Sequence, residues 1–236
     1  IAHTNKAAYT SSGISLTTPT LGTFKYDEGG GTGIDRIDDM MPTAWEEVDG
    51  TGLGMGLQTA AGVGGGSDIE WAMSDSLHGV TGLNAYIAYS PEPDGTKPTN
   101  KGTGGTTGAA AVQGYGYDVV LTYSGFEGLN VFGGISRINQ AAGMGDRDTE
   151  AYGATYAIGG ATVGYQYTKI DNPGIASDYY ENDAYAISFA VNDALTISYG
   201  SHDSDQHDSS ASATVAMSGQ SLQASYTVGG ASVKIA

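Results

Sequence analysis

The chain contains no cysteine. That absence removes disulfides, thiolate metal sites and cysteine nucleophiles together. Basic residues are scarce, with 9 Lys and Arg against 26 Asp and Glu, and the formal net charge is −17. Nucleic-acid partners require clustered Lys and Arg and are excluded on that ground; an acidic surface favours cations instead. Leu, Lys and Glu are too few for a helical protein. No run approaches the roughly 18 apolar residues of a membrane-crossing helix, which leaves open a membrane barrel, whose strands are only half apolar. No signal peptide begins the chain, and Ile1 reads as a processed or truncated end. The chain is nevertheless not disordered in composition. It is 39% hydrophobic and only 15% charged, with 16 Tyr.

What is present is alternation. Tyr152, Ala154, Tyr156 and Ile158 alternate with small residues, as do Val163, Tyr165 and Tyr167, then Tyr185, Ile187, Phe189 and Val191, then Leu195, Ile197 and Tyr199. Period two predicts strands with one apolar face and one small, polar face. The pattern places strands over Gly13–Thr18, Thr23–Asp27, Ile69–Ser74, Leu83–Ser90, Tyr115–Tyr123, Leu129–Arg137, Thr149–Ala157, Thr162–Lys169, Asp183–Ala190 and Leu195–Ser201. Beyond Ala211 the apolar phase switches, so Ser218–Ser221 is either a turn or a bulge inside one long strand; the bulge is preferred, because Val228–Ala231 copies the Ile158–Ala161 turn, and a last strand, Ala231–Ala236, follows. Short connections with Gly, Asn and Asp alternate with long ones, so the turns fall at one end and the loops at the other. That is an antiparallel up-and-down meander.

The faces decide the environment. A soluble sandwich displays Lys and Glu outside, whereas here the polar face is Gly, Ala, Ser and Thr. Tyr89, Tyr115, Tyr123, Tyr167 and Tyr199 recur at strand ends, as an interfacial aromatic girdle places them. Tyr156, Tyr165, Ile187, Ile197 and Leu121 are expected to face out, and Thr155, Gln166, Ser188 and Thr196 to face in. A sheet crossing lipid must close on itself to satisfy its backbone.

One connection dominates, Glu28–Asp68. Loops beyond about 12–15 residues are usually functional or disordered. Apolar anchors (Ile34, Ile37, Met40, Met41, Trp45) stand between its carboxylates, which a solvated linker does not need. Packed on an inner wall, these anchors hold the loop in place, and Pro42 ends any helix within it.

The hairpin Gly13–Asp27, with its Leu21-Gly22-Thr23 turn leading into this long acidic loop, resembles the general diffusion porins of Gram-negative outer membranes, in particular the alphaproteobacterial type. The resemblance covers nearly the whole chain as pattern, and Ser15–Asp49 as motif. It implies a 16-stranded transmembrane β-barrel whose third external loop, here 28–68, folds inward and narrows the pore. Residues 1–236 then form a single barrel domain as a fragment, with about three strands absent before Tyr9 and the closing strand absent at the end. It also implies a homotrimer, and a basic cluster on the wall facing the loop. Lys25 is the leading candidate for that cluster because it alternates with Phe24 and Tyr26; Arg137 and Lys169 are weaker ones.

On this reading Asp35, Arg36, Asp38, Asp39, Glu46, Glu47 and Asp49 form a pore constriction together with Lys25. Carboxylates in a narrow, low-dielectric passage focus potential and favour cations. The alternative is an outward, solvated acidic loop. Asp35, Asp38 and Asp39 are a candidate calcium set, as are Glu46, Glu47 and Asp49, although no calcium-loop pattern is present. His202, Asp203, Asp205, His207 and Asp208 are a weaker metal candidate in an external loop. No catalytic constellation emerges: Glu46 and Glu47 are adjacent and cannot flank a sugar as a glycosidase pair, and no nucleophile elbow exists. The expected function is a non-enzymatic, cation-preferring outer-membrane channel for small hydrophilic solutes, contacting membrane lipid and no nucleic acid, without a cofactor unless calcium binds. A secreted or surface β-rich binding protein such as an adhesin is the alternative, and an outer-membrane enzyme barrel ranks last.

Overall fold

A computed structural model of the chain describes residues 13–27, 31–48, 57–63, 67–91, 115–139, 145–171, 179–208 and 213–236. Among the described residues twelve strands form one antiparallel sheet in which each strand pairs with its neighbours in chain order. They are β1 (Gly13–Thr18), β2 (Gly22–Asp27), β3 (Asp68–Met73), β4 (Leu83–Ser90), β5 (Gly116–Phe126), β6 (Leu129–Ile138), β7 (Arg147–Ile158), β8 (Ala161–Asp171), β9 (Tyr179–Ala190), β10 (Leu195–Asp208), β11 (Ala213–Val228) and β12 (Ala231–Ile235). Among the described residues no pairing joins β1 to β12. The up-and-down meander and every predicted strand are present.

Most of the hairpin turns form where the sequence places glycine at left-handed positions. Gly159 (φ 61) and Gly229 (φ 56) serve the matching β8 and β12 hairpins. The β3–β4 turn adds a short helix, α1 (Asp75–His78), which the period-two pattern does not signal; Gly79 closes it in the left-handed region, donating to Asp75 O at 2.7 Å.

Two expectations about the loop end are corrected. The bulge at Ser218–Ser221 is absent, because β11 pairs β10 in unbroken register from Leu195↔Tyr226 to Asp208↔Ala213. The apolar phase switches there because the strand outruns the apolar band, not because the backbone is offset. The segment from His202 to Asp208 is likewise strand, so the β10–β11 connection is shorter than predicted.

The faces agree with the alternation. Leu121, Tyr156, Ile187 and Ile197 are exposed on the outer face, while Gln166 is buried on the inner one. Strands of 10–16 residues from β5 to β11 meet or exceed the roughly 9–11 needed to cross lipid at a tilt. No described helix is long and apolar enough to cross a membrane. Above the exposed apolar band lies a polar belt: Tyr165 Oη donates to Asp183 at 2.7 Å and Tyr167 Oη to Glu181 at 3.1 Å. The hydrophobic core sits on the inner face. Ile34, Ile37 and Ala60 of the long connection are buried with Val120, Phe132 and Ala151 of the sheet, and Val63 with Ala88 and Ile138. The long connection therefore supplies part of the core.

Candidate functional site

The chain leaves the sheet at Asp27 and rejoins it at Asp68, and the described residues between lie against the inner wall. The outgoing limb begins with a 3-10 helix, Gly33–Met40. The first amides of a helix have no partner of their own. Here the wall provides them, since Gly33 N donates to Glu70 Oε2 at 2.7 Å and Ile34 N to Asp118 Oδ2 at 2.9 Å. Burying Ile34 and Ile37 contributes roughly 1.5–3 kcal/mol each. The helix stops at Met41, which is extended (φ −76, ψ 142); the ring of Pro42 disfavours helical backbone in the residue before it.

Beyond Pro42 the limb crosses β8 to β12. Ala44 N donates to Ser198 Oγ at 2.8 Å. Gln223 brackets Glu46, accepting from its amide at 3.3 Å and donating to its carbonyl at 2.6 Å. Trp45 Nε1 reaches Ile235 O at 3.2 Å. The wall is small where the limb presses on it. A Cβ at Gly164 would lie 2.5 Å from Pro42 Cδ, and one at Gly200 2.7 Å from Val48 Cγ2. The returning limb follows β10, β7 and β5. Gln58 N donates to Ser204 Oγ at 3.3 Å, Gln58 O lies 3.0 Å from His202 Nε2, Thr149 Oγ1 donates to Ala61 O at 2.9 Å, and Val63 N donates to Asp118 Oδ2 at 3.1 Å.

The predicted site residues divide into groups. Arg36 is engaged: it pairs with Glu70, donates to Gly33 O at 3.1 Å and lies 3.7 Å over the Tyr86 ring. Lys25 faces inward as expected, directly opposite Glu70 in register, and pairs with Asp27. Asp35 turns back to accept from Gly31 N at 2.6 Å. Asp38, Glu46 and Glu47 line a cavity between the loop and β8–β11 that also contains Gln166 and His202; Asp39 is exposed. Asp49 lies outside the described residues. Burial pushes the Glu47 carboxyl up to about 7, and its hydrogen bond with Glu46 and the charges of Asp39 and Glu46 act in the same direction.

Several candidates separate. Among the described residues no three His, Asp or Glu side chains converge as a metal-ligand set, so Asp35, Asp38 and Asp39 do not form one. His202 and His207 lie on opposite faces of β10: His202 meets the loop inside, and His207 stacks on Tyr179 at 4.2 Å outside. Arg137 and Lys169 are on the outer face, not in the pore wall, paired with Asp148 at 2.7 Å and Asp171 at 3.0 Å. Strand alternation had this information, because both share parity with outward-facing neighbours.

Sequence reasoning missed Asp118, Glu70, Ser198 and Gln223, which hold the loop, and Arg147, which donates to Gly62 O at 3.5 Å. Asp118 did leave a signal, as a carboxylate between Tyr117 and Val119 on a strand that otherwise reads as wall.

A family model described as Gram-negative porin matches residues 12–236. The match is at the level of the Gram-negative family, not of the alphaproteobacterial branch that the hairpin suggests. No curated protein matches the chain. Among solved structures, similarity extends to a loop L8 deletion mutant of OmpT, an outer membrane protein of Vibrio cholerae, at 17% identity and a TM-score of 0.57, covering 92% of this chain and 68% of that one. OmpT of Vibrio cholerae itself gives 15%, 0.56, 92% and 65%, so this chain spans just under two thirds of its length. A porin refined at 1.8 Å resolution gives 16%, 0.55, 95% and 83%. Identities this low establish a shared fold.

Proposed function

Because the chain belongs to the Gram-negative porin family of the outer membrane, we propose that it forms a water-filled, non-enzymatic channel through which small hydrophilic solutes and ions diffuse passively, with a preference for cations. The observation that carries this reading is the seating of an acidic loop across the inner wall. Its described residues contain Asp35, Asp38, Asp39, Glu46 and Glu47 against the one cation Arg36, and Arg36 is already paired with Glu70. The wall cation Lys25 is likewise paired, with Asp27. The passage therefore carries a surplus of negative charge. Two unit charges about 4 Å apart interact by about 1 kcal/mol in water and about 4 kcal/mol at an effective dielectric near 20, so carboxylates in a constriction bias ion passage where the same groups on an open surface would not. The barrel assembles as a homotrimer in contact with membrane lipid.

The test is the reversal potential across a planar bilayer in a salt gradient. Replacing Asp38, Asp39, Glu46 and Glu47 together by Asn and Gln is expected to move it toward anions at low salt. The shift shrinks near 1 M salt, where the screening length falls to about 3 Å. An unchanged reversal potential at low salt rules out this loop as the filter.

A further inference from the structure

The root of the loop holds an imbalance that the pore function does not use. Asp27 and Asp68 are direct cross-strand partners of β2 and β3, and both are buried, at 8% and 1% exposure. Like charges directly opposite each other on a sheet are destabilising. The carboxylates around them are each compensated: Asp27 pairs with Lys25, Glu70 with Arg36, and Asp118 takes two backbone amides. Asp68 is different, since neither of its oxygens has a hydrogen-bond partner. Thr32 is fully buried, and its hydroxyl faces the Asp68 carboxylate and favours its charged form, but the pair falls short of a well-formed hydrogen bond. The reason is local. Thr32 occupies the cap position of the 3-10 helix but makes no capping hydrogen bond, and Asp118 has taken the amide of Ile34, one of those a capping threonine would serve. Its oxygen is therefore left for another ligand.

We propose that the Asp68 carboxylate and the Thr32 hydroxyl hold a small monovalent cation, Na+ or K+, at the root of the loop, with Asp27 facing it. The ligand atoms are all oxygen, which selects a hard cation. Lys25, Arg36 and Arg147 stand against Asp27, Glu70 and Asp118, so Asp68 is the one carboxylate of the four left without a cation and a single positive charge closes the balance. Among the described residues no three His, Asp or Glu side chains converge here, and the ligands are one carboxylate and one hydroxyl. The ion ties the start of the outgoing limb (Thr32) to the strand that receives the returning one (Asp68). This role is structural and independent of which ions the pore prefers.

The test reads stability rather than conductance. The full-length protein in detergent is unfolded thermally in choline chloride, NaCl and KCl at equal ionic strength, and the series is repeated at several pH values. Wild type is expected to gain about 3 °C in Na+ or K+ over choline, saturating with cation concentration. Asp68→Asn is expected to show no such gain, and Thr32→Val to need several-fold more cation for the same gain. Equal midpoints of wild type in all three salts overturn the proposal. So does a midpoint that follows pH and ignores the cation, since a proton then fills the place, or an Asp68→Asn protein that responds as wild type does. If Asp68→Asn fails to fold, the wild-type titration and Thr32→Val decide the matter.

Discussion

Ile34 and Val63 donate their backbone amides to the same carboxylate oxygen, Asp118 Oδ2, at 2.9 and 3.1 Å. One residue opens the loop's outgoing limb and the other ends its return. A single wall carboxylate thus closes the loop into a stirrup. Gly33 and Gly62 stand beside that carboxylate where any Cβ would collide with it, and this is how two limbs fit around one side chain.

Asp118→Ala leaves both buried amides without an acceptor, at about 1–3 kcal/mol each. The expected outcome is a lower unfolding midpoint and a larger, noisier single-channel conductance. Asp118→Asn keeps an accepting oxygen and loses less. Wild-type conductance in the alanine variant would remove Asp118 from the loop's anchorage.

Glu47 makes selectivity depend on pH. Its carboxyl is raised from 4.5 to about 7 in the seated loop, so it is neutral below that range and charged above it. A group raised in the folded state adds stability that is fully present below its unfolded value and is lost as pH rises through its folded one. Between about pH 5 and pH 8 the loop's seat weakens while the pore gains a negative charge. Cation preference in reversal-potential measurements is expected to rise over that interval in wild type and stay flat in Glu47→Gln.

Gly164→Val drives a side chain into Pro42. The limb is then displaced from β8 while the strand pairing remains. With no native cysteine in the chain, Ala44→Cys provides a clean reporter: its thiol is expected to react several-fold faster in the Gly164→Val background. Equal rates mean the limb tolerates the clash in place.

The trimer is tested by mass. In mild detergent the expected particle contains three chains and collapses to one on heating. A single-chain mass before heating removes the proposed assembly.

The sheet was legible because its signal is local and repeated. Tyr156, Tyr165 and Ile187 each report the same period, and lipid on one side enforces it on every strand. The loop's anchors were legible for a related reason: Ile34 and Ile37 are apolar residues in an acidic stretch, and both are fully buried. Their receiving surface was harder to read. Val120 and Phe132 are apolar residues on the inner face, and they appear in the sequence only as a break in alternation, in Val119-Val120-Leu121 and Val131-Phe132. Asp118, Ser198 and Gln223 match the small, polar composition of any inner face. Their importance depends on which loop atoms arrive opposite them, and strand periodicity carries no information about that. Arg137 and Lys169 were misjudged by weighing charge above parity.

The hydrogen bond from Trp45 to Ile235 joins residues 190 positions apart, and those from Glu46 and Ala44 span 177 and 154. The wall itself is built from neighbouring hairpins, whose closure is entropically cheap. Contacts at such separations slow folding. Assembly is therefore ordered in time: β10 to β12 must be in place before the loop's far half has anything to grip. Until then Ser198 and Gln223 lack their loop partners and the lumen stays wide. The loop is therefore expected to seat last, behind a wall that is already built.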